Sequence, residues 1–219
     1  RKQAVIEHKH NFEEVIGDKK LILRVDRIDP SKNIIRGFQA YQELLTLYPD
    51  YREKVVFLAM LVPSRRGIEE YQDYLDKIMA ISGQINADFG NKDWEPLRIL
   101  VGEDYERALA AMQLYDVLLI NAIADGMNLV AKEGPTVNTR NGVLILSERA
   151  GASLQLAPGC TIISPCDIFA TAEAMHQGLS MDAVEKENRA KTLKWIIKQY
   201  DINRWFSNQI HAVDKLNLI

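Results

Sequence analysis

Short aliphatic runs recur along the chain: Leu21-Ile22-Leu23-Arg24-Val25, then residues 55–60, 97–101, 117–120, 143–146 and Thr161-Ile162-Ile163. Turn residues or charges close each one. Apolar runs of this length predict strands buried on both faces, as in a parallel sheet. Between them apolar residues fall at helical spacing. Ile34, Ile35, Phe38, Ala40, Leu44 and Leu45 form one such face; Tyr71, Leu75, Ile78, Met79, Ile81 and Ile85 form a second; Ala108, Leu109, Ala111 and Met112 form a third. Strand-helix alternation predicts an α/β fold: a Rossmann-like parallel sheet of about six strands flanked by helices, with right-handed crossovers. The stretch 181–219 reads as helical, with Asp201 as the N-cap of a last helix. The expected organisation is one domain over 1–219: a polar leader over 1–18, a core over 19–180 and C-terminal helices over 181–219.

Composition narrows the classes. The 219 residues are 47% hydrophobic and 26% charged, as in an ordinary globular protein. A formal net charge of -3 gives no basis for nucleic acid or an acidic membrane as partner. The two cysteines, Cys160 and Cys166, are too few for a disulfide scaffold. No apolar run approaches the roughly 18–20 residues needed to span a bilayer. The chain opens on Arg1-Lys2-Gln3 without a signal-peptide pattern. The expectation is a cytoplasmic protein whose numbering starts inside a longer gene product.

Sheets of this kind bind ligands at the carboxyl ends of their strands, so the loops there carry the chemistry. The first reads Val25-Asp26-Arg27-Ile28-Asp29-Pro30-Ser31-Lys32-Asn33. Arg27 and Lys32 beside a helix start would make a phosphate-binding corner, Arg through two N–H groups and Lys as a point charge. The same residues also suit a capped loop whose cations pair with Asp26 and Asp29. The second loop, Pro63-Ser64-Arg65-Arg66-Gly67, could hold an anionic substrate or be a solvated basic turn balanced by Glu69 and Glu70.

The third is the most informative: Asp125-Gly126-Met127-Asn128-Leu129-Val130-Ala131-Lys132-Glu133. Asp125-Gly126 signals a turn, and a helix is expected from about Asn128. Gly126 would let the backbone approach a ligand, and the N–H groups of Met127, Asn128 and Leu129 would face a diphosphate. Glu133, two turns beyond Asp125, could accept hydrogen bonds from a ribose diol. A capped helix with a surface Glu-Lys pair is the alternative. The chain has neither the dinucleotide-binding nor the P-loop glycine pattern. No histidine pair accompanies the cysteines, so no metal site is expected. His8, His10, His176 and His211 show no partner by spacing, and no nucleophile elbow or catalytic carboxylate pair is found.

Taken in order, these segments resemble the C-terminal half of the trehalose-6-phosphate synthases, retaining glycosyltransferases of the two-domain GT-B fold. The resemblance rests on the loop from Val25 to Lys32, Val62-Pro63-Ser64-Arg65, the run from Asp125 to Glu133, the run from Gly142 to Ser147, Ala150-Gly151-Ala152, the region from Asn86 to Trp94, and Asp201-Ile202-Asn203-Arg204-Trp205. It covers nearly the whole chain from about residue 20. Pro30 and Asn33 depart from the Tyr and Gly of many members, and Arg66 adds a second arginine.

The resemblance implies a donor-binding domain for UDP-glucose or a related nucleotide sugar. Arg27 and Lys32 would bind the diphosphate and serve catalysis by stabilising its departure. Asp125, Gly126, Met127, Asn128, Leu129 and Val130 would hold donor glucose and phosphates, and Glu133 the ribose. Arg65 would reach the phosphate of glucose 6-phosphate. No cofactor or metal ion is implied. The implied partners are these substrates and an N-terminal GT-B domain of the same protein; homo-oligomer formation stays open. Without that domain the chain is expected to be nearly inactive, and the apolar face of the last helix is left exposed or covered by another copy. Two other readings stay open: a related synthase with another donor or acceptor, such as a glucosylglycerol-phosphate synthase, and a non-catalytic nucleotide-sugar-binding module.

Overall fold

A computed structural model describes residues 2–65 and 67–215. In chain order the elements are α1 (Lys2–Ile16), β1 (Lys20–Arg27), α2 (Ile34–Leu47), β2 (Val55–Val62), α3 (Glu69–Phe89), β3 (Leu97–Val101), α4 (Tyr105–Met112), β4 (Val117–Ile120), α5 (Val130–Val137), β5 (Val143–Ser147), α6 (Ser153–Leu156), β6 (Thr161–Ile163), α7 (Ile168–Ser180), α8 (Ala183–Gln199) and α9 (Ile202–Lys215). All six expected strands form. They make one parallel sheet in the order β3-β2-β1-β4-β5-β6.

Alternation along each strand sorts side chains to two buried layers. On one face Ile22, Phe57, Leu119 and Ile145 pack with Phe38, Tyr41 and Leu44 of α2, Ile78 and Ile85 of α3, and Met175 and Leu179 of α7. On the other, Leu21, Leu23, Leu58, Leu118 and Leu144 pack with Phe12 and Ile16 of α1, Met112 of α4, Ala131 of α5, and Leu193 and Ile196 of α8. Each fully buried Leu, Ile or Phe contributes about 1.5–3 kcal/mol, so the central strands anchor whatever their ends carry.

Three details differ from the sequence reading. The stretch expected as a polar leader carries helix α1, which buries Phe12 and Ile16 and packs against α4. Met79, placed on the apolar face of α3, is exposed. The helix expected from about Asn128 begins at Val130, because Asn128 takes a left-handed backbone with φ 59°. Asp201 does cap α9, accepting the Arg204 N–H at 2.9 Å. Among the described residues no helix is long and apolar enough to cross a membrane.

The order of strands sets where a ligand can lie. From β1 the chain steps to β2 and β3 on one side, then crosses to β4, β5 and β6 on the other. The crossover leaves a crevice at the carboxyl ends of β1 and β4, the switch point of a doubly wound sheet.

Candidate functional site at the ends of β1 and β4

Two loops meet in that crevice. After β1, Asp29 accepts the Ser31 N–H at 2.9 Å and opens a single 3-10 turn, Pro30–Lys32. Asn33 follows with φ 60° and caps that turn. Asn is among the few residues with a side chain that tolerate this conformation, which is why it can stand where a glycine would be usual. Its amide donates to the carbonyls of Asn121, at 3.0 Å, and Pro165, at 2.6 Å. The Ile123 N–H donates to Ser31 O at 2.8 Å, tying the β4 loop to the β1 loop.

Lys32 is turned inward by this geometry. Its ammonium lies 2.5 Å from Asp125 Oδ2 and 3.6 Å from Asp26 Oδ1, with only a tenth of the side chain exposed. Asn128 donates to the same Asp125 oxygen at 2.8 Å and accepts the Ala131 N–H on its own Oδ1 at 3.1 Å. Burial pushes the Asp125 carboxyl up, but Lys32 and Asn128 outweigh it and hold the group below its ordinary value. Among the described residues the backbone N–H groups of Met127, Asn128 and Leu129 make no hydrogen bond within the chain, leaving three donors together before α5. The space beside Gly126 is open, while its carbonyl accepts from Gly151 N at 2.7 Å.

The remaining expected residues divide. Arg27, at the end of β1, is exposed and makes no ion pair among the described residues. Arg65 has a left-handed backbone, φ 49°, and its guanidinium lies over the Tyr71 ring, 5.3 Å from the centroid. Both arginines act on Asp29: burial raises that carboxyl, but the Ser31 N–H and the two cations bring it below its ordinary value. Arg66 lies outside the described residues. Val130 is the first residue of α5, and Glu133 is half-buried one turn on, with no side-chain bond among the described residues. The surface Glu-Lys pair offered as the alternative for this helix is therefore not formed. A groove of about 560 Å³ runs from Met127, Leu129 and Lys132 to Tyr200 at the end of α8 and Trp205 in the first turn of α9.

Sequence reasoning missed what lies beneath Lys32. Arg24, inside the apolar run of β1, is fully buried. Its guanidinium donates to Asp26 Oδ2 at 2.9 Å, to Asn121 Oδ1 at 2.7 Å, and to the Lys32 carbonyl. Arg24 and Asp26, two apart, share one face of β1. Burial drives the Asp26 carboxyl up, against the pull of Arg24 and Lys32. Gly37 of α2 makes room: a Cβ there would overlap the Arg24 guanidinium. The signal available was an arginine among four aliphatic residues. No group of three or more His, Cys, Asp or Glu placed to hold a metal ion occurs among the described residues. His176, which showed no partner by spacing, stacks on Tyr48 and bonds the Tyr51 hydroxyl at 2.8 Å, and serves packing between α2 and α7.

Residues 1–215 match the family model described as Glycosyltransferase family 20. The chain is 35% identical over 212 residues to a bifunctional trehalose-6-phosphate synthase/phosphatase of Thermoproteus tenax, covering 96% of this chain and 29% of that protein. It is similar to the crystal structure of a UDP-forming α,α-trehalose-phosphate synthase of Burkholderia xenovorans in complex with glucose-6-phosphate, with 30% identity, a TM-score of 0.90, and coverage of 97% of this chain and 48% of that one. An E. coli trehalose-6-phosphate structure bound with UDP-2-fluoro glucose gives 29% identity, a TM-score of 0.88, and coverage of 100% and 50%. The chain thus spans about half of each of these solved structures and under a third of the T. tenax protein.

Proposed function

The chain belongs to glycosyltransferase family 20, and from that premise we propose that it forms the donor-binding half of a GT-B transferase. The proposed reaction moves glucose from UDP-glucose to glucose 6-phosphate, giving trehalose 6-phosphate and UDP. The observation that carries this reading is the convergence of Lys32, Asp125 and three free backbone N–H groups on one crevice. It agrees with the substrates of the two similar solved structures, one holding glucose-6-phosphate and one a UDP-sugar.

In this reading the diphosphate lies across Lys32, Arg27 and the N–H groups of Met127, Asn128 and Leu129. As the glycosidic bond breaks, negative charge grows on the leaving diphosphate, and fixed cations and N–H donors stabilise it without reorganising. These groups fill the role that a metal ion takes elsewhere. Lys32 leaves Asp125 for the phosphate, which frees the Asp125 carboxylate to accept from sugar hydroxyls. Val130 closes the loop around the sugar, and Gly126 leaves room for it. Glu133 accepts from the ribose diol, and Arg65 at the rim meets the acceptor phosphate. The acceptor attacks from the face that the diphosphate leaves, so configuration is retained and no protein nucleophile is needed.

The rest of the acceptor pocket belongs to residues beyond this sequence, so the chain alone is expected to bind donor but to transfer little. A cytoplasmic location suits these substrates. Melting curves with UDP, GDP and ADP test the reading: UDP should raise the melting temperature most. Equal shifts for all three, or none at millimolar concentration, would reject a UDP-sugar donor.

A further inference from the structure

Arg24 is the largest fully buried side chain of the described residues, and neither the fold nor the donor chemistry accounts for it. A hydrophobic residue would fill strand β1 at less cost, since burying a guanidinium demands a partner for its charge and its N–H groups. Among the described residues these partners are Asp26, Asn121 and the carbonyl of Lys32. Asn121 in turn donates to the Asn33 carbonyl at 3.2 Å, so the guanidinium joins the β1 loop to the end of β4.

We propose that Arg24 is a positioning residue for Lys32, neutralising Asp26 from below so that the Lys32 ammonium remains available to a ligand diphosphate. The proposal rests on the reading of the crevice as a diphosphate site. Lys32 stands between two carboxylates, Asp125 at 2.5 Å and Asp26 at 3.6 Å. Asp125 is near the surface and can turn to water or sugar when Lys32 leaves it. Asp26 is buried and cannot, so if Lys32 were its counter-ion, each diphosphate would have to strip a buried carboxylate of its charge partner. Arg24, always charged and donating at 2.9 Å, takes that duty permanently. Its bond to the Lys32 carbonyl also fixes the backbone from which the ammonium extends.

Calorimetric titration of the chain with UDP and with uridine, in the wild type, R24Q and R24Q/D26N, tests this. Uridine lacks the phosphates, so loss of fold or of nucleoside contacts weakens both ligands, whereas misplacement of Lys32 weakens UDP alone. R24Q should weaken UDP about tenfold, the effect of one hydrogen bond to a charged group, and leave uridine within twofold. R24Q/D26N removes the buried pair whole and should return UDP affinity to within threefold of the wild type. A parallel fall for both ligands in R24Q, or a double variant no better than R24Q, would overturn the proposal. Should R24Q not fold, the double variant decides alone: UDP within threefold of the wild type supports the role, and a tenfold loss refutes it. If the wild type binds no UDP, the diphosphate reading fails. Arg24 is then judged by carbon-13 titration of the Asp125 carboxyl, which must rise in R24Q as Lys32 shifts to Asp26; an unchanged titration refutes the role.

Discussion

The corner between β1 and β4 and the helix α9 handle the same problem in opposite ways. In the corner Arg24, Asp26, Lys32, Asn33, Asn121 and Asn128 are all buried, and each is bonded to a neighbour in the chain. On α9 Ile202, Trp205, Phe206 and Ile210 are between 46% and 71% exposed, and the helix buries no residue. A polar network that is satisfied internally is set before any ligand arrives, so binding there spends little on ordering. An apolar stripe left in water is the reverse: the helix takes little support from the core, and such a face is typical of a contact between folded units. The division of labour proposed above gives the donor groups to this chain and assigns the exposed stripe of α9 to contact with the proposed N-terminal domain.

Variants at each place break or sharpen the contrast. The largest effect is expected from R24M, which breaks the buried pair with Asp26 and leaves that carboxylate to Lys32, 3.6 Å away. It should cost about 3–5 kcal/mol in denaturant unfolding, with much of the loss recovered in R24M/D26N. K32M should lower UDP affinity by tenfold or more, since a hydrogen bond to a charged group is worth about 1.5–3 kcal/mol; calorimetry reads this directly. G37A crowds Arg24, Asn121 and Leu119 and should destabilise by about 1–3 kcal/mol, the usual cost of overpacking, seen as a lower melting temperature.

The acid limb of stability gives a smaller, signed effect. The Asp125 carboxyl is depressed in the fold from an ordinary value of 3.8. Its contribution is therefore complete above that pH and lost as pH falls through the lower folded value. D125N should flatten stability against pH below about 4 and leave its slope near neutrality unchanged. The smallest effect belongs to α9: W205A should change the stability of this chain by no more than about 0.5 kcal/mol, as for other exposed sites. A loss of 2 kcal/mol or more would mean that Trp205 is packed, and the contrast would fall.

Much of this was readable from the residues. The six strands announced themselves because runs such as 55–60 are apolar on both faces, which only a covered central strand requires. Loop chemistry was readable where residues local in sequence act together, as in Asp125 to Asn128. What was hidden depends on distance along the chain. Arg24 meets Asn121 across 97 positions, and nothing near Arg24 tells a core arginine from one at a strand edge. Helix α1 escaped notice because its polar residues outnumber the two that it buries, Phe12 and Ile16. Asn128 delayed the start of α5 because its side chain bonds Asp125 and Ala131, a local competition with helix geometry.

The most direct test of the corner as a diphosphate site is a calorimetric titration of this chain with UDP and with uridine, in the wild type and in K32M. The account predicts that wild type binds UDP at least tenfold more tightly than uridine, and that K32M cuts that preference by tenfold or more while uridine binding stays the same. Equal binding of UDP and uridine by the wild type, or a preference left undiminished in K32M, would contradict it.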